Sequence, residues 1–482
     1  MNLNFADILR DTAQRHGERL ALVDGNRRLT WGELDQAVDR AAQGFAAAGL
    51  VPGYRVVLLV ANSIEFVTSY WGILRAGLVA VPLNTGLTTP EIATVAEHSG
   101  ARIAVADADL ADKIEGIRTV APGELVGNAP LLPSIDPETL AVLLYTSGTS
   151  GDPRAAMLTH RALAANVRNL SELGEDRMGP EDVVLGVLPM FHAFGLNAVL
   201  GWTVATGAAL IIDRRFDPAH TIDLIRQYGV TRLPLAPPAL HALVARPDLR
   251  EALRTVKVVL TGASALDRAL ADRFEQASGL FVHQGYGLTE ASPGVTTTLG
   301  EAEPKPGSVG RALPNVELRI ADEQGEDVEG DDPGEILIRG GNLFSGYWPD
   351  GVDGPDANGW YRTGDVGFLD PDGDLFLVDR LRELIIVSGF NVFPSEVEDV
   401  LVGAPGIQEA AVIGVPSEET GEAVKAFVVP KADTTVDVAA VREYAGTRLA
   451  RFKSPVEIEV VDQLPHSVTG KVAKGRLREP PR

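Results

Sequence analysis

Ala141-Val142-Leu143-Leu144-Tyr145 is a short apolar run that passes at once into Thr146-Ser147-Gly148-Thr149-Ser150-Gly151-Asp152-Pro153-Arg154. An apolar run that opens into glycines and hydroxyls suits an anion-binding loop. Glycines let backbone N–H groups come close to a phosphate, hydroxyls add donors, and Arg154 supplies a fixed positive charge. A Walker-type loop needs Gly-Lys-Ser/Thr at its end, and Gly151 is followed by Asp152-Pro153-Arg154, so that reading fails. Taken alone, the string also fits a glycine-rich surface loop. Its surroundings decide between the two.

Working outward, apolar strand-like runs alternate with helix-like segments. Ala21–Val23 and Arg28–Trp31 flank Asp24-Gly25-Asn26, a hairpin turn. Thr30 and Glu33 have capping-box spacing and open a helix reaching about Ala48. Arg55–Val60 reads as a buried strand, Ser63–Arg75 as a helix and Arg102–Ala106 as another strand. This alternation predicts a layered α/β architecture with mostly parallel sheets. After about residue 300 the texture turns β-rich, with short strands such as Glu317–Ile320 and Glu335–Arg339 between acidic, Gly-rich turns. Gly340–Asp365, rich in Gly, Asp and aromatics, reads as an ordered loop region. Beyond Arg380 comes a compact α+β unit of strand Glu383–Val387, helix Ser395–Val402, strands Ala410–Val415 and Ala423–Val429, and helix Val436–Leu449.

The bulk numbers fit a multidomain globular protein. The chain has 482 residues, 45% hydrophobic and 23% charged, which allows a large core and more than one domain. A formal charge of -23, with 66 acidic residues, argues against nucleic acid and anionic membrane surfaces as partners. There is no cysteine, so disulfides, thiolate metal sites and cysteine nucleophiles are excluded. No signal-peptide pattern or 18-residue apolar run is seen. The expectation is a cytoplasmic enzyme without integral membrane association.

The wider string Tyr145–Arg154, ending in Leu158-Thr159-His160, resembles the phosphate-loop signature of the adenylate-forming superfamily, which includes acyl-CoA synthetases, aryl-CoA ligases and peptide-synthetase adenylation domains. Two departures stand at its rear edge: Arg154 replaces the usual Lys and Ala155 the usual Gly. Further matches follow in family order over roughly residues 5–478: Leu188-Pro-Met-Phe-His-Ala-Phe-Gly195, Leu260-Thr-Gly-Ala-Ser-Ala-Leu266, Gln284-Gly-Tyr-Gly-Leu-Thr-Glu290, Tyr361-Arg-Thr-Gly-Asp365, Val378-Asp-Arg380, Ser388-Gly-Phe-Asn391 and Leu464-Pro-His-Ser-Val-Thr-Gly-Lys471.

The resemblance implies a role for each. Thr146, Ser147, Gly148, Thr149, Ser150, Gly151 and Arg154 would hold the ATP phosphates. Phe191, His192, Phe194, Gly262, Ala263, Ser264 and Gly285 would wall the acid pocket, with His192 at its mouth. The ring of Tyr286 suits stacking on adenine, beside Gly287 and opposite Leu377. Thr289 can hydrogen-bond the α-phosphate. Glu290, joined by Thr146, would hold Mg²⁺, a hard cation that takes carboxylate and phosphate oxygens. Asp365 suits both ribose hydroxyls, with Arg380 as the second contact. Arg382 would be the hinge, and Ser388, Gly389 and Phe390 would wall a coenzyme A tunnel. Lys471 would bridge the acid and the α-phosphate.

The implied layout is an AMP-binding domain over residues 1–379, a hinge at 380–382 and a small mobile domain over 383–482. The implied reaction is adenylation of a fatty or aryl monocarboxylic acid with ATP, then transfer to coenzyme A. Alternatives that share the motifs are a ligase loading a carrier protein and a malonate-type short-chain synthetase. A monomer or homodimer is expected.

Overall fold

The computed structural model describes residues 4–131, 135–146, 153–174, 177–264, 266–301, 304–322, 324–328, 332–380, 383–387, 390–417, 420–432, 434–466 and 472–477. The chain forms two compact units, one of Met1–Glu317 and Ile338–Tyr361, the other of Leu318–Leu337 and Arg362–Arg482.

The first unit is α/β with two largely parallel sheets. In one, Arg55–Leu59 lies between Val79–Pro82 and Ile103–Ala106, all parallel. These strands are almost wholly apolar and buried, the pattern of a sheet covered on both faces. At its far side Arg154–Thr159 returns antiparallel to Leu140–Thr146, with Thr146 opposite Arg154. The phosphate-loop string therefore joins two strands of a hairpin. A Walker loop leads from strand to helix; here the helix His160–Ser171 starts only after the return strand, capped by the Thr159 hydroxyl.

The second sheet has nine strands. Leu20–Asp24, Ala209–Ile212, Val183–Gly186, Arg232–Leu235, Val258–Thr261 and Val282–Gly287 run parallel in that spatial order. Antiparallel strands close both edges: Arg27–Thr30 at one, Gly294–Thr297 and Arg311–Ala312 at the other.

Local chemistry sets the helix starts as expected. Thr30 and Glu33 form a reciprocal capping box at the head of Trp31–Ala47. The Ser63 hydroxyl accepts from Phe66 N at 3.1 Å at the head of Ile64–Arg75. Arg75, 4% exposed, fastens this helix to Asp35 and Asp39 of Trp31–Ala47 at 2.6 and 2.8 Å.

The second unit holds most of a sheet ordered Val316–Ala321, Gly334–Gly340, Tyr361–Leu369, Leu375–Arg380. It also holds a five-stranded sheet built around the hairpin Ile407–Ser417/Gly421–Pro430, covered by helices Pro394–Val402 and Val438–Gly446. Val397, Leu401, Ile407, Val412, Ala426 and Val441 form its core. Two expectations change. Tyr361–Asp365 opens a nine-residue strand instead of ending a loop, because Thr363 spends its hydroxyl on Ile336 O at 2.8 Å in the neighbouring strand. The last helix begins at Val438, not Val436, because Asp437 caps Ala439 N and Ala440 N.

His160 is fully buried, and neither ring nitrogen has a hydrogen-bond partner among the described residues. Burial pulls its imidazole from the ordinary 6.5 down to about 4. Between those values the unfolded chain binds a proton that the folded chain refuses, so stability falls with pH across this window. Lowering the pH from 7 to 5 is expected to cost about 2 kcal/mol through this group alone. Urea unfolding at both pH values, compared with His160→Leu, measures it; an equal pH loss in the variant would remove His160 as the cause.

Candidate active site

Three segments leave the carboxyl ends of parallel strands of the nine-stranded sheet, where α/β sheets collect their ligands. Residues 187–193 follow Val183–Gly186, Gly262 and its successors follow Val258–Thr261, and Leu288–Ser292 follow Val282–Gly287. Phe194 opens a π-helix over Phe194–Gly201, and its ring reaches Gly262. A Cβ on Gly262 would lie 3.4 Å from Phe194 Cε1 and 3.3 Å from Gly285 O. Phe194, Gly262 and Gly285, predicted as acid-pocket walls, are thus brought together. Ala263 stands at φ 71°, the left-handed region a residue with a Cβ enters at a cost. Ser264 follows it, half-buried. Phe191 and His192 are half-buried on the same connection, with Nδ1 of His192 accepting from Phe194 N at 3.4 Å. Farther on, Ala198 and Val199 of the π-helix and Trp202 just after it join Leu260 in lining a small apolar cavity of about 20 Å³.

The strand Val282–Gly287 alternates as a strand should. Tyr286 is 8% exposed, and Gly285 faces the opposite way, opposite Thr297. Gly287 has no room for a side chain, since a Cβ would fall 2.3 Å from Pro293 O. That close approach turns the chain into the short 3-10 segment Thr289–Ala291, which carries Thr289 and Glu290. Glu290 is 8% exposed, and its Oε1 accepts a hydrogen bond from the phenol of Tyr347. Its own carbonyl accepts from Phe344 N at 2.8 Å. Burial, followed by the Glu290 charge, pushes the Tyr347 phenol far above its ordinary value, so it stays a donor.

Backbone pairing explains how a residue 57 positions away reaches Glu290. The stretch 345–348 lies along the strand Arg154–Thr159, with Met157 N donating to Gly346 O at 3.1 Å and Trp348 N to Ala155 O at 2.9 Å. Tyr347 pairs with Ala156 in this ladder. On the same strand, the Arg154 guanidinium lies 3.9 Å from the Tyr347 ring centre, and Nη2 pairs with Asp353 at 2.8 Å. The charge read as a phosphate contact is therefore already shared with a ring and a carboxylate. Thr146, half-buried, ends the paired strand and donates to Arg154 O at 3.5 Å. Ser147, Gly148, Thr149, Ser150 and Gly151 lie outside the described residues.

Asparagines hold the strand-end segments. Asn62 accepts from Met190 N at 2.9 Å and donates to Leu188 O at 2.9 Å. Asn197 donates to Ser292 O at 2.6 Å and Asn342 to Ala291 O at 2.9 Å, on either side of the turn after Glu290. Tyr347 and these asparagines carry little local signal in the sequence, because their partners lie tens of residues away. The one available signal was the Gly346-Tyr347 pair within the Gly- and aromatic-rich stretch.

In the second unit, Asp365 lies directly opposite Arg380 across the antiparallel pair Tyr361–Leu369/Leu375–Arg380. Its amide donates to the Thr363 hydroxyl at 3.1 Å. Leu377, on the same strand as Arg380, is 41% exposed. Phe390 begins the strand Phe390–Val392. Arg382, Ser388, Gly389 and Lys471 lie outside the described residues.

The donor set suits Mg²⁺ in the way that cation is usually held, by one or two carboxylates with substrate phosphates and water. Glu290 is a nearly buried carboxylate that commits Oε1 to Tyr347. Among the described residues there is no cluster of three or more His, Asp or Glu that would hold a metal without such a substrate. No helix among them is long and apolar enough to cross a membrane.

Comparison with known proteins gives the same picture. The AMP-binding enzyme family model matches residues 9–348, and the AMP-binding enzyme C-terminal domain model matches residues 396–471. A feruloyl-CoA synthase from an Amycolatopsis species is 36% identical over 470 residues, covering 95% of both chains. A long-chain-fatty-acid–CoA ligase of Bacillus subtilis is 31% identical over 529 residues, covering 99% of this chain and 94% of the relative. The crystal structure of ATP-bound MatB from Rhodopseudomonas palustris superposes with a TM-score of 0.92 at 31% identity, covering 99% of this chain and 98% of the other. The chain belongs to the AMP-binding enzyme family, in the acyl-CoA synthetase branch of the adenylate-forming superfamily.

Proposed function

We propose that this chain joins a monocarboxylic acid to coenzyme A in two steps. In the first, a carboxylate oxygen attacks the α-phosphorus of ATP and pyrophosphate leaves, giving an acyl adenylate. In the second, a thiol attacks the acyl carbonyl and AMP leaves, giving the thioester. The observation that carries the reading is the Phe194–Gly262–Gly285 contact, an apolar wall on the same strand ends that carry Glu290.

Two anionic reactants have to meet, so positioning and charge neutralisation are the main demands on the protein. Glu290, oriented by Tyr347 and joined by Thr146, would hold Mg²⁺, which neutralises phosphate charge when bound. Tyr286, Gly287 and Leu377 would take the adenine, Asp365 and Arg380 the ribose, and Thr289 the α-phosphate. Thr146, Ser147, Gly148, Thr149, Ser150, Gly151 and Arg154 would hold the departing phosphates. Lys471 would hold the acid against the α-phosphate. His192 stands at the mouth of the acid pocket, whose other walls are Phe191, Phe194, Gly262, Ala263, Ser264 and Gly285. The aromatic and small apolar residues of this wall suit an acid with a hydrocarbon or aryl tail. In this reading residues 1–379 form the AMP-binding domain and 383–482 the moving one. Rotation about Arg382 would exchange Lys471 for Ser388, Gly389 and Phe390 at the thiol's approach.

Acid-dependent exchange of labelled pyrophosphate into ATP, run with ferulate, cinnamate, palmitate and malonate, tests the first step. Exchange is expected with at least one apolar acid and a fall of about 100-fold in Lys471→Ala. Unchanged exchange in that variant would remove the lysine from the mechanism, and no exchange with any acid would sink the reading.

Tyr347→Phe removes the donor that orients Glu290 while keeping the ring beneath Arg154. Loss of one hydrogen bond to a charged group corresponds to about tenfold. The Mg²⁺ concentration for half-maximal exchange should rise by that factor, and Mn²⁺ binding to the ATP complex, followed by electron paramagnetic resonance, should weaken in parallel. If neither moves, Tyr347 is only a packing residue.

A further inference from the structure

Lys474 carries a burden that the proposed chemistry leaves unused. It begins the short 3-10 turn Lys474–Leu477, and its side chain is 14% exposed. Its ammonium reaches Glu383 Oε2 at 2.9 Å and Glu398 Oε1 at 2.8 Å. Glu383 directly follows Arg382 in the sequence. Glu398 sits on the helix Pro394–Val402, and the same Oε1 accepts from Val412 N at 2.7 Å, tying that helix to the strand Ile407–Ser417. Burial pulls the ammonium pKa down, but the two carboxylates more than reverse this, leaving it above the usual lysine value and the side chain charged. A lysine between two glutamates in a partly dehydrated site is costly to assemble unless the geometry is good, so it is weak evidence for stability alone.

The chain around it is pinned on two further counts. His466 and Val472 pair across an antiparallel bridge, and Ala473 N donates to Pro465 O at 2.7 Å. Leu464, Val472 and Leu477 pack on Ala411, Ile413 and Phe427. Lys471 immediately precedes this anchored stretch in the sequence, three residues before Lys474.

We propose that Lys474 is a positioning residue for Lys471. By clamping the turn that follows to Glu383 and Glu398, it serves the adenylation step assigned to Lys471. The inference rests on the adenylation reading, in which Lys471 serves the first step and not the second. A clamp that acts through Lys471 therefore affects the two steps unequally. A clamp that merely stabilises the domain affects both alike.

The experiment measures both half-reactions separately on the full-length chain. Pyrophosphate exchange follows adenylation, using the best acid from the panel. Thioester formation from the synthetic acyl adenylate of that acid and coenzyme A follows transfer. Lys474→Met is expected to lower exchange by about ten- to 100-fold, the scale for misplaced reacting groups. Transfer should stay within about twofold of the parent, and Lys474→Arg should recover most of the exchange. Glu383→Gln, which keeps the side chain's size, should show the same split more weakly, and it carries the test should Lys474→Met not fold. Equal loss in both half-reactions, or undiminished exchange in both variants, overturns the proposal while leaving the adenylation reading intact. A parent chain that shows no exchange with any acid overturns both.

Discussion

Segments that leave the carboxyl ends of buried parallel strands carry backbone N–H and C=O groups that no neighbouring strand satisfies, and each one left unpaired in a dry interior costs about 1–3 kcal/mol. Here asparagine side chains meet that demand, Asn62 with both its donor and its acceptor, Asn197 and Asn342 with their donors. Asn62 mimics a strand partner for residues 188–190, the approach to Phe191 and His192. Asn197 and Asn342 take the carbonyls of Ser292 and Ala291, closing the turn behind Glu290. The wall proposed for the acid and the carboxylate proposed to hold the metal both stand on connections fastened in this way.

A second dependence runs sideways along the hairpin that contains the phosphate-loop string. The stretch 345–348 adds itself to the strand Arg154–Thr159, and this alone puts Tyr347 between Arg154 and Glu290. The departure at position 154 then has a physical account. A guanidinium is flat and weakly hydrated, so it stacks on a ring and still pairs with Asp353; an ammonium is a compact, strongly hydrated charge without that geometry. The loop's rear edge is thereby coupled through one ring to the carboxylate proposed to hold the metal.

Much of the local structure was legible from the residues. The Thr30/Glu33 capping box, the helix expected over Ser63–Arg75 and the turn at Asp24–Asn26 are written in contacts three or four residues apart, and the structure has them there, with Ser63 as the cap of Ile64–Arg75. The strand Tyr361–Leu369 was less legible, because the stretch before it is rich in turn formers and its pairing partners lie elsewhere in the chain. The helix Val438–Gly446 starts two residues beyond the expected Val436, because Asp437 caps it.

The candidate site divides along the same line. The sequence by itself determined which chemical groups are available: glycines such as Gly287 that leave room for a close backbone, a carboxylate at Glu290, an acid at Asp365, a base at Arg380, and lysines at 471 and 474. These follow from residue type and order. Only the tertiary structure decided which groups act together. Tyr347 on Glu290, Asn62 on residues 188–190, and Lys474 between Glu383 and Glu398 each join residues far apart in the sequence, by 57, 128, 91 and 76 positions. The reason is physical: a hydrogen bond or ion pair depends on a few ångströms of separation, and only a packed core brings such distant residues within that reach.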